Sequence, residues 1–266
     1  MTILDEIFAT KRQEVAARRA ARPLEQVQQA AALAPAPLDF ASALRREKTG
    51  RPALIAEIKH ASPSRGVLVK DFDPMRLARI YNENGASAIS VLTDETYFRG
   101  HLDYLRQVRA LGLGLPLLCK EFICDPYQVY EARAAGADAI LLIAASLDPA
   151  YLAELRALVG SLGMAALVEV HNRAELDALS LAHAWASGPV VIGVNNRDLR
   201  DFSVRLETTL ELSAYIPAGA CLVAESGIHT PEDVDRLLQA GVDAILVGEA
   251  LVTAPDVGAK VRLLSR

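Results

Sequence analysis

From residue 53 onward the chain alternates between short apolar runs and longer stretches whose apolar positions recur every three or four residues. The runs at 53–58, 87–92, 116–120, 138–143, 165–170, 190–194, 221–225 and 243–247 predict strands. The stretches near 74–83, 101–111, 126–135, 149–160, 172–182, 206–214, 231–240 and 255–264 predict helices. Most of the strand runs are apolar at successive positions instead of every second one, as in parallel strands covered on both faces. Helix starts are marked by Asp73-Pro74, Asp125-Pro126, Asp148-Pro149 and Thr230-Pro231, each a capping side chain before a proline at the first helical position. Helix stops are marked by Asn84-Gly85, Ala135-Gly136 and Ala240-Gly241. Two of these stops lead into near-copies, Ala135-Gly136-Ala137-Asp138-Ala139-Ile140-Leu141 and Ala240-Gly241-Val242-Asp243-Ala244-Ile245-Leu246, which reads as one helix-to-strand unit used twice.

Eight strand–helix units in succession predict an α/β fold, a (β/α)8 TIM barrel over residues 49–266. An open doubly wound sheet is the competitor, but its first turn carries a glycine-rich fingerprint. The first turn of this chain is Ser62-Pro63-Ser64-Arg65-Gly66, so the barrel is preferred. Residues 1–48 precede it as a helical extension too short for a core of its own. Leu4, Ile7, Phe8 and Val15 follow helical spacing, and Lys11, Arg12, Arg18, Arg19 and Arg22 predict a solvated basic face. Ala34-Pro35-Ala36-Pro37 then breaks the chain before a short helix expected from Asp39 to Glu47.

Composition narrows the class. The chain has 266 residues, 52% hydrophobic, with a net charge of −5 spread along it, so no broad basic footprint for nucleic acid exists. No apolar run approaches the ~20 residues needed to cross a bilayer. The start, Met1-Thr2-Ile3-Leu4-Asp5-Glu6, lacks the basic and apolar regions of a signal peptide, and a cytoplasmic location is expected. Cys119, Cys124 and Cys221 form no paired framework and read as free thiols. The five histidines make no HxxxH or Cys/His cluster, so no protein-bound metal is expected.

Chemistry in such a barrel sits at the C-terminal ends of the strands. The first strand ends in Glu57 and Lys59, two residues apart and so on one face. An ion pair capping the strand would explain these two alone. The third strand, however, ends in Lys120, the fifth in Glu169, the sixth in Asn195-Asn196-Arg197-Asp198 and the seventh in Glu225-Ser226-Gly227. These groups are distant in sequence yet converge on one mouth. Lys120 and Glu169 are read as chemical groups, while Asn195 and Glu225 could orient their neighbours. Ser226-Gly227 after the seventh strand and Gly248 after the eighth stand in the loops where barrels often hold phosphate. Ser62 and Lys59 could close that site.

At these residues the chain resembles the indole-3-glycerol-phosphate synthase family of tryptophan biosynthesis. The carriers are Ile55-Ala56-Glu57-Ile58-Lys59 with Ser62-Pro63-Ser64, Lys120-Glu121-Phe122-Ile123, Val168-Glu169-Val170, Gly193 to Leu199, and Glu225-Ser226-Gly227-Ile228. Glu121 departs from the aspartate usual there. The resemblance implies a carbon–carbon lyase that decarboxylates 1-(2-carboxyphenylamino)-1-deoxyribulose 5-phosphate and closes and dehydrates its ring, without metal or organic cofactor. It implies Lys120 as the acid of ring closure, with Glu169, Lys59 and Glu57 moving protons later and Asn195 orienting them. It further implies Arg197 against the anthranilate carboxylate, Phe122 as an aromatic wall, Glu225 beside substrate, and Ser62, Ser226, Gly227 and Gly248 around phosphate. The expected partner is a phosphorylated small molecule, not nucleic acid or membrane, and association with other enzymes of the pathway stays open. Because the chain stops after the eighth helix, a monofunctional enzyme is expected.

Two other readings stand beside this one. Phosphoribosylanthranilate isomerase is another phosphate-binding barrel, but that family uses a cysteine after its first strand, where this chain has Glu57. A non-catalytic anion-binding barrel would keep the glycines without needing Lys120, Glu169 and Glu57 together.

Overall fold

Eight parallel strands close on themselves in a barrel, with the first hydrogen-bonded to both the second and the last. They are β1 (Ala53–Ile58), β2 (Ala88–Leu92), β3 (Leu117–Lys120), β4 (Ala139–Ile143), β5 (Ala165–Val170), β6 (Val191–Asn195), β7 (Cys221–Glu225) and β8 (Ala244–Val247). Each lies within one residue of its predicted limits. The computed structural model describes residues 2–45, 50–186, 188–198 and 202–265.

Three helices precede the barrel, α1 (Ile3–Ala21), α2 (Leu24–Leu33) and α3 (Phe40–Leu44). The barrel helices are α4 (Pro74–Glu83), α5 (Leu102–Ala110), α6 (Pro126–Ala134), α7 (Pro149–Ser161), α8 (Arg173–Leu181), α9 (Glu207–Leu212), α10 (Pro231–Gln239), α11 (Glu249–Val252) and α12 (Val257–Ser265). The sequence pattern misses α2, whose Val27 is fully buried in a small cluster with Val15 and Tyr127. It also misses α11 and the two-residue hairpin Ala61–Ser62 with Gly66–Val67. All are too short, or too rich in alanine and glutamine, to print a clear period. The helix expected from Asp39 to Glu47 begins at Phe40 under an Asp39 cap and already ends at Leu44, where Arg45 turns to extended backbone; the 48/49 domain boundary lies outside the described residues.

The predicted caps have physical content. Asp73, Asp125, Asp148 and Thr230 each accept a backbone N–H of the first turn, which would otherwise go unbonded, and each is followed by proline. The repeated Gly-x-Asp unit is also explained. Asp138 accepts the Leu117 N–H at 2.6 Å and Asp243 accepts the Leu222 N–H at 2.9 Å. In both copies an aspartate entering one strand fastens the start of its neighbour.

The core is continuous through the barrel and out to the helix layer, and almost every apolar strand residue is buried. Burial of an apolar side chain of this size contributes roughly 1.5–3 kcal/mol. That core supports the polar residues gathered at one end.

Candidate active site

Glu57 lies one residue before the end of β1, and Lys59 follows the strand on the same face. Their ion pair spans 3.3 Å, with the Glu57 side chain nearly inaccessible. Tyr81 of α4 donates to the Glu57 carbonyl at 3.0 Å and fixes this strand end from behind. Across the barrel, the Lys120 ammonium lies 3.2 Å from Glu169 Oε2 and donates a shorter hydrogen bond to Glu225 Oε2. Asn195 Nδ2 donates to the other Glu169 oxygen at 3.2 Å. The side chains expected to meet at the mouth do meet.

Two glycines make room for this charge. A Cβ at Gly193 on β6 would overlap Glu225 Oε1, and one at Gly248 would overlap Glu57 Oε2. Gly248, expected beside phosphate, borders the cavity, and its missing side chain also leaves room for Glu57. Gly227 adopts φ +74° and the preceding Ser226 φ +66°. Left-handed backbone at a serine costs about 1–2 kcal/mol, so the turn after β7 is held by its surroundings.

Electrostatics divide the carboxylates. Burial pushes Glu225 up to about 7, with Lys120 opposing and Glu169 and Glu57 reinforcing the rise. Burial also acts to raise Glu169, but Lys120, His171 and Asn195 outweigh it and hold that carboxyl below its ordinary value. Burial works against the Lys120 ammonium, yet Glu225, Glu169 and Glu57 overcome it and hold the lysine above its usual range. Near neutrality the floor therefore holds one persistent cation, one persistent anion and one carboxyl that readily exchanges its proton.

These groups border a cavity of about 440 Å³. Every residue predicted for the site lines it, including Ser62, Phe122, Arg197, Ser226 and Gly227. Ser62 Oγ and Glu225 Oε1 are buried without a hydrogen-bond partner. Arg197 donates to the Phe202 carbonyl at 3.1 Å, and Phe122 packs edge-on against Phe8, their ring centres 5.8 Å apart. Leu199, the last residue of the sixth-strand motif, lies outside the described residues. Among the described residues no His, Cys, Asp or Glu cluster is arranged to hold a metal ion.

The sequence reading missed two features and misplaced one residue. Ile3, Leu4 and Ile7 of α1 form an apolar side of the cavity. His171, just past β5, lies 3.4 Å from Glu169. Lys11 does not belong to a solvated face. It is 1% exposed and reaches Asp94 at 2.9 Å, Glu121 at 3.1 Å and Glu14 at 2.7 Å. The apolar face of α1 is wide enough to take Lys11 inside, where the loops after β2 and β3 present their carboxylates. Arg12 and Arg19 keep the solvent exposure expected of them.

The model of the indole-3-glycerol phosphate synthase family matches residues 4–264. The chain belongs to this family. The synthase of Roseiflexus castenholzii is 54% identical over 99% of this chain and 98% of its own length. That of Chloroherpeton thalassium is 52% identical over 97% and 98%. Among solved structures, 3-hexulose-6-phosphate synthase from Salmonella typhimurium superposes with a TM-score of 0.63 at 14% identity, covering 80% of this chain and 96% of that one. That likeness concerns the barrel alone. The family match spans both α1 and the barrel, so the helix lining the cavity belongs to the matched unit.

Proposed function

We propose that the protein is an indole-3-glycerol-phosphate synthase, a carboxy-lyase acting on 1-(2-carboxyphenylamino)-1-deoxyribulose 5-phosphate. The observation that carries the reading is the Lys120 ammonium, held by Glu169 and Glu225 at the floor of a partly apolar cavity that Lys59 and Glu57 also enter. Ring closure joins the aromatic carbon bearing the carboxylate to the ketose carbonyl carbon, and the carbonyl oxygen must take a proton as the bond forms. A permanently charged lysine beside that oxygen stabilises the developing alkoxide and supplies the proton.

The carbon–carboxylate bond then breaks, and its electron pair restores the ring as carbon dioxide leaves. Dehydration follows: the new hydroxyl takes a second proton and departs as water, while a C–H bond beside the nitrogen gives its proton to a base. Glu169, Glu57 and Lys59 are the groups within reach for these later transfers. Asn195 fixes the Glu169 carboxylate. Ser62, Ser226, Gly227 and Gly248 take the phosphate, where Ser62 Oγ is buried without a partner and no side chain caps the start of α11. Arg197 receives the anthranilate carboxylate, and Phe122 supports the aromatic ring.

Incubating the protein with this substrate and following indole fluorescence tests the assignment. Steady release of fluorescent product is expected. Binding without indole formation would instead place the chain among non-catalytic phosphate-binding barrels.

A further inference from the structure

Each turnover written above takes two protons, one at the carbonyl and one at the departing hydroxyl, and returns one from the C–H bond. Starting from an ionised substrate carboxylate and releasing carbon dioxide, the reaction therefore consumes one proton from solvent. The groups that deliver protons are nearly sealed: the side chain of Glu169 is 3% exposed and that of Lys120 12%. The acid has to be recharged from solvent once in every turnover.

His171 lies on a route for that proton. It follows β5 two residues after Glu169, so both side chains lean to the same side. Its Nε2 is 3.4 Å from Glu169 Oε1, and its Nδ1 is 3.4 Å from Glu175 Oε2. Both ring nitrogens are buried with no closer hydrogen-bond partner. An unsatisfied buried nitrogen costs about 1–3 kcal/mol, so two of them aimed at two carboxylates is an arrangement poised to tighten. Glu175 cannot swing away. Its Oε2 accepts the His171 backbone N–H at 2.8 Å and its Oε1 accepts Asn172 Nδ2 at 2.6 Å, at the start of α8. Its side chain is 17% exposed, which places it nearest to water of the three.

We propose that Glu175 and His171 form a proton relay from solvent through Glu169, protonated only in passing, to Lys120, recharging the active-site acid on the side away from substrate. The inference rests on the proton-transfer role of Glu169 set out above. The charged groups facing the imidazole are Glu169 on β5, Glu175 on α8 and, farther off, Glu225 on β7. Burial opposes the imidazolium, but these carboxylates outweigh it and raise His171 above its ordinary value, which favours the donor form. In the relay, solvent protonates Glu175 or the imidazole at Nδ1, and the proton on Nε2 passes to Glu169 Oε1 and on to Lys120. The neutral ring left behind carries its proton on Nδ1, and rotation of the imidazole with re-protonation of Nε2 restores the starting form. His171 touches no substrate and acts through Glu169.

The test is the turnover of His171→Ala in dilute buffer, followed by indole fluorescence, with imidazole added as a diffusible replacement. A fall in kcat of about 10-fold is expected, less than the ~100-fold or more of an acid–base group that touches substrate, because His171 acts through Glu169. KM should stay near that of the wild type, and added imidazole should restore kcat several-fold. Neither the wild type nor Glu169→Gln should respond to imidazole. Glu175→Gln keeps one oxygen to accept the His171 N–H while giving up the acceptor for Asn172 Nδ2, and serves if His171→Ala does not fold; its kcat should fall and should rise with buffer concentration. Full activity of the folded variants in dilute buffer, or a loss that imidazole and buffer leave untouched, would overturn the relay while leaving the family reaction intact. A wild type that makes no indole would overturn the functional reading and the relay with it.

Discussion

Two buried clusters of charge lie a few residues apart, and they are neutralised in opposite ways. In the clamp under α1, Lys11 faces Asp94 and Glu121. The carboxylates there are also bonded by fixed donors. Asp94 Oδ1 accepts the Tyr97 and Phe98 N–H groups at 2.7 and 3.1 Å, and Glu121 accepts Phe122 N–H at 2.8 Å and Thr93 Oγ1 at 3.0 Å. In the mouth, the donors to Glu57, Glu169 and Glu225 among the described residues are side chains, Lys59, Lys120 and Asn195. Backbone donors do not titrate and do not move. Ammonium groups and carboxyls exchange protons. The clamp holds α1 over the cavity, whereas the mouth carries the groups that the proposed reaction uses to transfer protons.

Breaking the clamp should give the largest effect on stability. Lys11→Ala leaves two buried carboxylates without their cation and is expected to cost about 3–5 kcal/mol in urea unfolding. A change below 1 kcal/mol would remove the clamp from the account. Filling the space that the mouth leaves for charge comes next. Gly193→Ala drives a methyl into the Glu225 carboxylate and should cost about 1–3 kcal/mol as overpacking, with a fall in turnover; unchanged stability and activity would mean that Glu225 has another place to go.

The proton of Glu225 sharpens the comparison further. Its folded value of about 7 lies above the ordinary 4.5. Between those values the folded state binds more protons than the unfolded one, so this residue's contribution falls as pH rises through that window and is flat above it. The Tm of Glu225→Gln relative to the wild type should accordingly improve from pH 5 to pH 8. A Tm difference that stays constant, or declines, contradicts a protonatable Glu225. The smallest effect belongs to the clamp: Glu121→Asp shortens the reach to Lys11 and Thr93 and should cost no more than about 1 kcal/mol, the worth of one hydrogen bond. Urea unfolding measures it.

What the sequence reveals follows from how local each signal is. Strands buried on both faces, proline-led caps and glycine stops are written within a few residues, and all eight barrel strands were legible. Convergence of Glu57, Lys120, Glu169 and Glu225 was legible because the barrel brings strand ends together whatever the loops do. Lys11 was misread because its partners, Asp94 and Glu121, are some 80 or more residues away; helical spacing alone puts a lysine in water. His171 had a readable signal, the pattern Glu169-x-His171-x-x-x-Glu175, which combines strand spacing with the third residue of a capped helix. The roles of Gly193 and Gly248 depend on which carboxylate presses on them across the barrel, and no local pattern carries that.

The most direct test of the central claim is the turnover of Lys120→Ala, measured by indole formation in protein whose circular dichroism matches the wild type. If Lys120 is the acid of ring closure, kcat falls by more than ~100-fold while product binding largely survives. Near-normal turnover in the folded variant would make the mouth a second structural clamp and contradict the account.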